Sequence, residues 1–304
     1  PEELKHKLRL VQEIRAFAGD ALQLPVNSSY SQYADLERPY AVWNVFAAPE
    51  FSVKPETWCY PIAGCVSYKG YFDESDAREY ARELAQEGYD VYVGGVAAYS
   101  TLGWFEDPVL NTFVTRPDPA LAALLIHELA HRQLYVSGDS AFNESFATTV
   151  EILGLEQWLT SNGMPEQVAL IATHRERKDQ FVDLILAHRE ALETLYASDL
   201  PEAAMRDKKS LMKQRLKDQY AALKARWGGY GGYDAWFEGP LNNAQLATIA
   251  TYHHWVDSFT ALYHHHQGDW SRFYEACAEI AGQNQTVREQ TLEKLSVEGA
   301  RFRL

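Results

Sequence analysis

Five consecutive residues, His127-Glu128-Leu129-Ala130-His131, carry the clearest chemistry in the chain. On a helix, residues four apart stand one turn apart on the same face, so both imidazoles can reach one ion. Zinc suits such a donor pair, and Glu128, beside the first histidine, is placed to take a proton from an attacking water. Together these groups suit hydrolysis of a bond as resistant as a peptide: a zinc ion lowers the pKa of water toward about 7 and polarises a carbonyl. The plainer reading is a core helix with two hydrogen-bonded histidines. Its surroundings weigh against that, because residues Ala120 to Tyr135 are apolar on nearly all sides. Polar groups set into such a helix without partners are costly.

A tetrahedral catalytic site needs a third protein ligand and an open fourth position. The segment after Gly138 offers two carboxylates, Glu144 and Glu151. They lie seven residues apart, two helical turns, so both can face the histidine helix if the chain reverses at Gly138. Spacing alone does not choose between them. The one that is not a ligand is placed to hold a ligand imidazole or a substrate amine. Thr148, one turn beyond Glu144, is a further candidate for supporting the ligands.

Asn143-Glu144-Ser145-Phe146-Ala147 resembles the metal-site signature of the gluzincin peptidases, in which an Asn-Glu pair followed by an aromatic and Ala supplies the third ligand. That resemblance implies Glu144, although many members have a longer gap after the second histidine, which keeps Glu151 in view. More of the chain is similar to one group, the bacterial predicted-aminopeptidase family. The likeness runs through Trp43-Asn44-Val45-Phe46-Ala47, Gly70-Tyr71-Phe72, Ala98-Tyr99-Ser100-Thr101-Leu102-Gly103-Trp104-Phe105, Asp107-Pro108 and Leu241-Asn242-Asn243-Ala244. It implies a zinc-dependent aminopeptidase with one zinc per chain and a peptide substrate. An endopeptidase, or a non-catalytic zinc module that binds peptides, are the other readings of the same metal residues.

The resemblance also implies where other roles fall. Residues 98–113 stand where zincins generally run the strand that pairs with extended substrate and its flanking loop, with a buried structural turn held by Gly103 and Pro108 as the alternative. An oxyanion donor is expected downstream in Thr251-Tyr252-His253-His254-Trp255, with Tyr252 first and His253 or His254 behind it. Asn242 and Asn243 are candidates for orienting substrate main chain, and Glu151, Glu106 or Asp107 for anchoring an amine. His264-His265-His266 reads as a solvated helix end.

The elements that must position these groups are mostly helical, and the expected class is α+β, predominantly α, of zincin-like type. Leu4, Leu8, Val11, Ile14, Phe17 and Ala18 recur at helical spacing over the first twenty residues. From Leu24 to Phe113, short β-branched runs such as Val42–Phe46 and Asp90–Val93 predict strands, with one helix near Ser75–Glu87. The division expected is a mixed region over 1–118 and a helical metal-binding region over 119–304, acting as one cooperative unit. Asp139 or Ser140 can cap the helix that runs to about Leu159. Beyond it, two charged helices should meet at Pro201, a flexible joint should span Gly228–Tyr233, and two or three helices should follow Asn242.

Composition bounds the partners. The 304 residues hold 28 Lys and Arg against 42 Asp and Glu, a net charge of −14, which repels polyphosphates and argues against nucleic acid or an anionic membrane surface. No run approaches the roughly 18 apolar residues of a membrane span. Cys59 and Cys65 are close enough to bridge in an oxidising compartment, with two buried thiols as the equal alternative. The chain starts at Pro1 rather than Met, so a removed leader is expected. The family likeness implies an export or lipoprotein signal and a periplasmic domain, with possible lipid anchoring upstream. Cytoplasmic residence is the alternative.

Overall fold

The computed structural model describes residues 2–60, 64–98 and 106–299, and for residues 165 and 250–253 the backbone alone. The N-terminal part begins with α1 (Glu2–Asp20), whose Leu10, Val11, Ile14 and Ala18 are buried. There follow β1 (Tyr33–Ala34), β2 (Val42–Pro49), β3 (Trp58–Tyr60), β4 (Gly64–Val66), β5 (Lys69–Tyr71), α2 (Glu74–Gln86), β6 (Tyr89–Val96), β7 (Val109–Leu110) and α3 (Asn111–Val114). The main sheet has the order β5-β2-β6, antiparallel throughout, with Val42 opposite Val96 and Pro49 opposite Tyr89. Val45 and Ala47 on one face of β2 meet Ala77, Ala81 and Leu84 of α2, a helix capped by Asp73, which accepts from Ser75 N.

The helical part runs α4 (Asp118–Gln133), α5 (Ser140–Ser161), α6 (Pro165–Tyr196), α7 (Glu202–Arg226), α8 (Asp234–Phe237), α9 (Asn243–His253), α10 (Val256–His265), α11 (Trp270–Ala281) and α12 (Gln285–Gly299). The protein is therefore mainly α with small sheets. No helix among the described residues is long and apolar enough to cross a membrane. The principal core joins α1, α4, α5, α10 and α11, with Ile14, Leu125, Leu129, Phe146, Phe259 and Phe273 all sealed from solvent. A second core lies between α6, α7 and α8, where Phe181 stacks on Tyr233 and Tyr220 on Phe237.

Two expectations need correction. Four helices, not two or three, follow Asn242, because the chain breaks at Trp255, whose N–H bonds Ser145 Oγ on α5 at 3.0 Å. That tertiary bond has no local signature. The proposed substrate strand over 98–113 falls partly on 99–105, outside the described residues. In the remainder Val109–Leu110 pairs in parallel with β1, and Asn111–Val114 is helical. The sheet edge nearest in sequence is β6 instead, which pairs with β2 alone among the described strands. Of the two alternatives for Cys59 and Cys65, the structure shows the bridge: they sit opposite each other on β3 and β4 and are bonded, which leaves Cys277 as a buried free thiol.

What fixes the site is the turn between α4 and α5. Helix α4 ends at Leu134, whose backbone is extended, and Gly138 takes φ +80, a left-handed conformation that favours glycine. Asn143 closes the turn on both sides: Val136 N–H donates to its Oδ1 at 2.7 Å, and its Nδ2 donates to Val136 O at 2.8 Å. Asp139 caps α5 through Phe142 N. It is also gripped by Arg288 of α12, with Nε and an Nη 2.9 and 2.8 Å from Oδ2. Further along, Gly154 brings α5 close, since a Cβ there would meet Leu22 Cδ1 at 2.7 Å and Ile126 Cγ2 at 3.1 Å.

The Arg288–Asp139 pair is almost buried, with side-chain exposures of 7% and 13%. Breaking a buried pair strands a charge, which typically costs about 3–5 kcal/mol. Arg288→Ala should therefore lower the unfolding free energy by roughly that amount in urea titration. A midpoint equal to that of the unmodified protein would contradict the assigned role.

Candidate metal centre

Pro119 in the first turn of α4 and the buried row Leu121, Ala122, Leu125, Ile126, Leu129 and Ala130 fix that helix by packing. His127 and Glu128 are partly buried beside that row, and His131 is buried. The two imidazoles stack edge to face, with ring centres 4.9 Å apart and planes at 81°. Both Nε2 atoms approach a single oxygen on α5: Glu144 Oε2 is 3.3 Å from His127 Nε2 and 3.5 Å from His131 Nε2. All three donor atoms lie within 4.8 Å of one another. Ligands of a tetrahedral zinc, at about 2.0–2.2 Å from the ion, are separated by roughly 3.3–3.5 Å. The donor set and its spacing therefore fit such an ion.

Glu151, two turns further along α5, meets the opposite nitrogen: its Oε2 is 3.0 Å from His127 Nδ1. A carboxylate only accepts, so the shared proton sits on Nδ1 and directs the imidazole toward Glu144. The two carboxylates thus divide the ring of His127 between them. His131 lacks this support, since its Nδ1 is buried with no hydrogen-bond partner among the described residues. Behind Glu151 lies a cavity of about 270 Å³ whose walls include Lys178, Arg175, His174, Tyr230 and Tyr233.

Charge explains how so many ionisable groups coexist. Burial alone would strip the proton from His127, but hydrogen bonds and charge from Glu144 and Glu151 outweigh it and raise its pKa to about 10. Burial pushes Glu144 upward, yet the two histidines hold it well below the usual carboxylate range. For Glu151 burial is likewise overcome, by the His127 bond and by the charges of His127, Lys178 and Arg116. Glu128 differs. Burial raises it and the charges of Glu144 and Asp107 add to that, while His127 and His131 oppose.

The remaining predicted residues fall elsewhere. Asn143 is committed to the α4–α5 turn, and Thr148 is buried on α5. Asn242 caps α9 and donates to Val91 O. Asn243, fully buried, donates to Pro49 O and Glu50 O and accepts from Tyr196 Oη. Both asparagines tie α9 to the sheet, a correction to their expected contact with substrate. Tyr252 and His253 lie on α9, and their side chains fall outside the described residues. His254 is exposed against Trp255. His265 pairs with Glu298. Glu106 accepts from Ser28 Oγ. Sequence reasoning missed the bond by which Arg132, one turn after Glu128 on α4, holds Ser29 beside Tyr30. No spacing announces it, because it joins two segments about a hundred residues apart.

The chain matches the family described as "Putative aminopeptidase" over residues 1–292 and belongs to that family. No curated protein and no solved structure matches it.

Without metal, His127 holds its proton up to about 10 in the folded state and to about 6.5 when unfolded. The proton then contributes stability that is complete below about 6.5 and is lost as pH rises toward about 10. Chelator-treated protein should lose unfolding free energy across that window, and His127→Gln should flatten the slope. Identical slopes in the two proteins would rule out the pairing.

Proposed function

We propose that the chain is a zinc-dependent peptidase of zincin-like type that removes residues from the N-termini of peptides. The observation that carries this reading is the convergence of His127 Nε2, His131 Nε2 and Glu144 Oε2 on one point, with Glu128 between the histidines. These three residues would hold one zinc ion, and Glu151 would orient His127 from behind. When bound, zinc supplies a Lewis acid that polarises the scissile carbonyl and acidifies water.

Glu128 does the proton work. A carboxyl raised by burial and by neighbouring negative charge is a stronger base than an exposed one, which suits it to taking a proton from the attacking water near neutral pH. The same carboxyl, now protonated, then returns the proton to the departing amine nitrogen. Tyr252 serves as the donor to the developing oxyanion, with His253 behind it, on the strength of the family likeness. Extended substrate lies along the outer edge of β6, where main-chain pairing would give sequence-tolerant binding.

The family description supports the aminopeptidase reading over an endopeptidase. The acidic net charge of −14 favours peptides over nucleic acid as partners. The Cys59–Cys65 bond supports an oxidising compartment, and we assign the domain to the periplasm.

Glu128→Gln keeps the shape of the site and removes the base. It should bind one zinc per chain as before and lose about 10²–10⁴-fold in turnover of a peptide with a free N-terminus. Turnover unchanged in Glu128→Gln would overturn the assignment of the base. Acetylating the N-terminus of the same peptide should abolish cleavage by the unmodified protein, whereas undiminished cleavage would mark an endopeptidase.

A further inference from the structure

Tyr30 is the residue whose conformation and surroundings ask most for a reason. It is 2% exposed, its ring packs edge to face on Phe113, and its backbone takes φ +59. That left-handed conformation is uncommon for a bulky side chain and costs about 1–2 kcal/mol. Gly, Asn or Asp would adopt it more readily. The surroundings nevertheless impose it from several sides. Tyr30 N–H donates to Asp107 O at 2.6 Å, Gln12 Nε2 donates to Tyr30 O at 3.0 Å, and Asp107 N–H donates to Ser29 Oγ at 3.3 Å. Arg132 Nη1 also donates to Ser29 Oγ.

Arg132 is the key to where this clamp points. It stands one helical turn after Glu128, so the two share a face of α4, next to the two histidines. The clamp therefore fastens residues 29–30 to the helix face that carries the general base. Charge gives the same placement: burial is the main reason the phenol is held well above its usual value, and the next is the negative charge of Glu128, ahead of Asp107, with Arg132 opposing. Among the described residues the hydroxyl takes part in none of the hydrogen bonds of Tyr30. A phenol that is buried, strained into place and without a bonding partner among the described residues is, beside a carboxylate, a donor without its acceptor.

We propose that Tyr30 is a positioning residue for Glu128: its hydroxyl donates to the Glu128 carboxylate, directly or through one solvent molecule, and so aims the base at the attacking water. This rests on the peptidase reading above. The donated bond leaves the second carboxylate oxygen of Glu128 free to accept the water's proton, and it must lengthen or shift when that carboxyl is protonated. The interaction therefore bears on turnover more than on substrate affinity. It also links the N-terminal segment to catalysis, since Ser29 is bonded to Arg132 of α4.

The test is a double-mutant cycle on the full chain with zinc bound. Tyr30→Phe keeps the ring contact with Phe113 and the main-chain bonds, so zinc content and thermal midpoint should match those of the unmodified protein. Its kcat should fall about 10–100-fold with KM unchanged, the usual effect of removing a residue that supports a catalytic group. In a Glu128→Gln background the same substitution should have no further effect, because the partner is already gone. Affinity for a phosphinic peptide, read by calorimetry, should follow the same pattern without relying on turnover. Full activity in Tyr30→Phe, or an equal loss with and without Glu128, would refute the proposal and leave Tyr30 a packing residue. A chain that binds no zinc, or whose Glu128→Gln variant turns over normally, would instead refute the peptidase reading.

Discussion

The separation between α4 and α5 at the level of His127, His131 and Glu144 is the constraint on which the rest of the molecule depends. Two imidazole nitrogens and a carboxylate oxygen must stay about 3.3–3.5 Å apart if one small cation is to satisfy all three. Three side chains on two helices cannot hold that spacing alone. It is set by Asn143 locking the turn through Val136, by Arg288 holding Asp139 at the start of α5, and by Gly154 letting the helices approach further along. Each device lies outside the site and fixes one coordinate of it.

The same constraint explains the unusual concentration of charge in a nearly sealed region. Glu144 and Glu151 approach opposite nitrogens of His127, so one ring neutralises two buried carboxylates that would otherwise repel. Without a cation, the ring keeps an extra proton to do so. A bound divalent ion would take over the positive charge on the Nε2 side and leave the Nδ1 bond to Glu151 in place. Glu128 stands apart from this arrangement, its proton affinity raised where theirs is lowered. Groups pushed in opposite directions within one cluster are what a division between binding and proton transfer requires.

Much of this was legible in the sequence, for identifiable reasons. The periodic apolar residues of α1, α4 and α5 and the strands at Val42–Phe46 and Asp90–Val93 were readable because local spacing and core burial agree there. The histidine pair was readable because a one-turn spacing belongs to the helix itself. The choice between Glu144 and Glu151 was not, since residues seven apart occupy the same face and differ only in which nitrogen of a facing ring they meet. Asn242 and Asn243 looked available to substrate, but their partners, Val91 O and Pro49 O, come from strands 151 and 194 residues earlier. Tyr30 gave no signal at all, because nothing in its neighbours in sequence implies a left-handed tyrosine. Its conformation follows from bonds to residues 12 and 107.

The claim at the centre is that one zinc ion sits between α4 and α5. Anomalous diffraction from crystals of the protein, recorded on both sides of the zinc absorption edge, tests it directly. A single strong peak per chain is predicted, about 2.0–2.2 Å from the Nε2 atoms of His127 and His131 and from Glu144, with Glu151 still on His127 Nδ1. A map with no peak from crystals grown with zinc, or a peak bound by Glu151 in place of Glu144, would contradict the account.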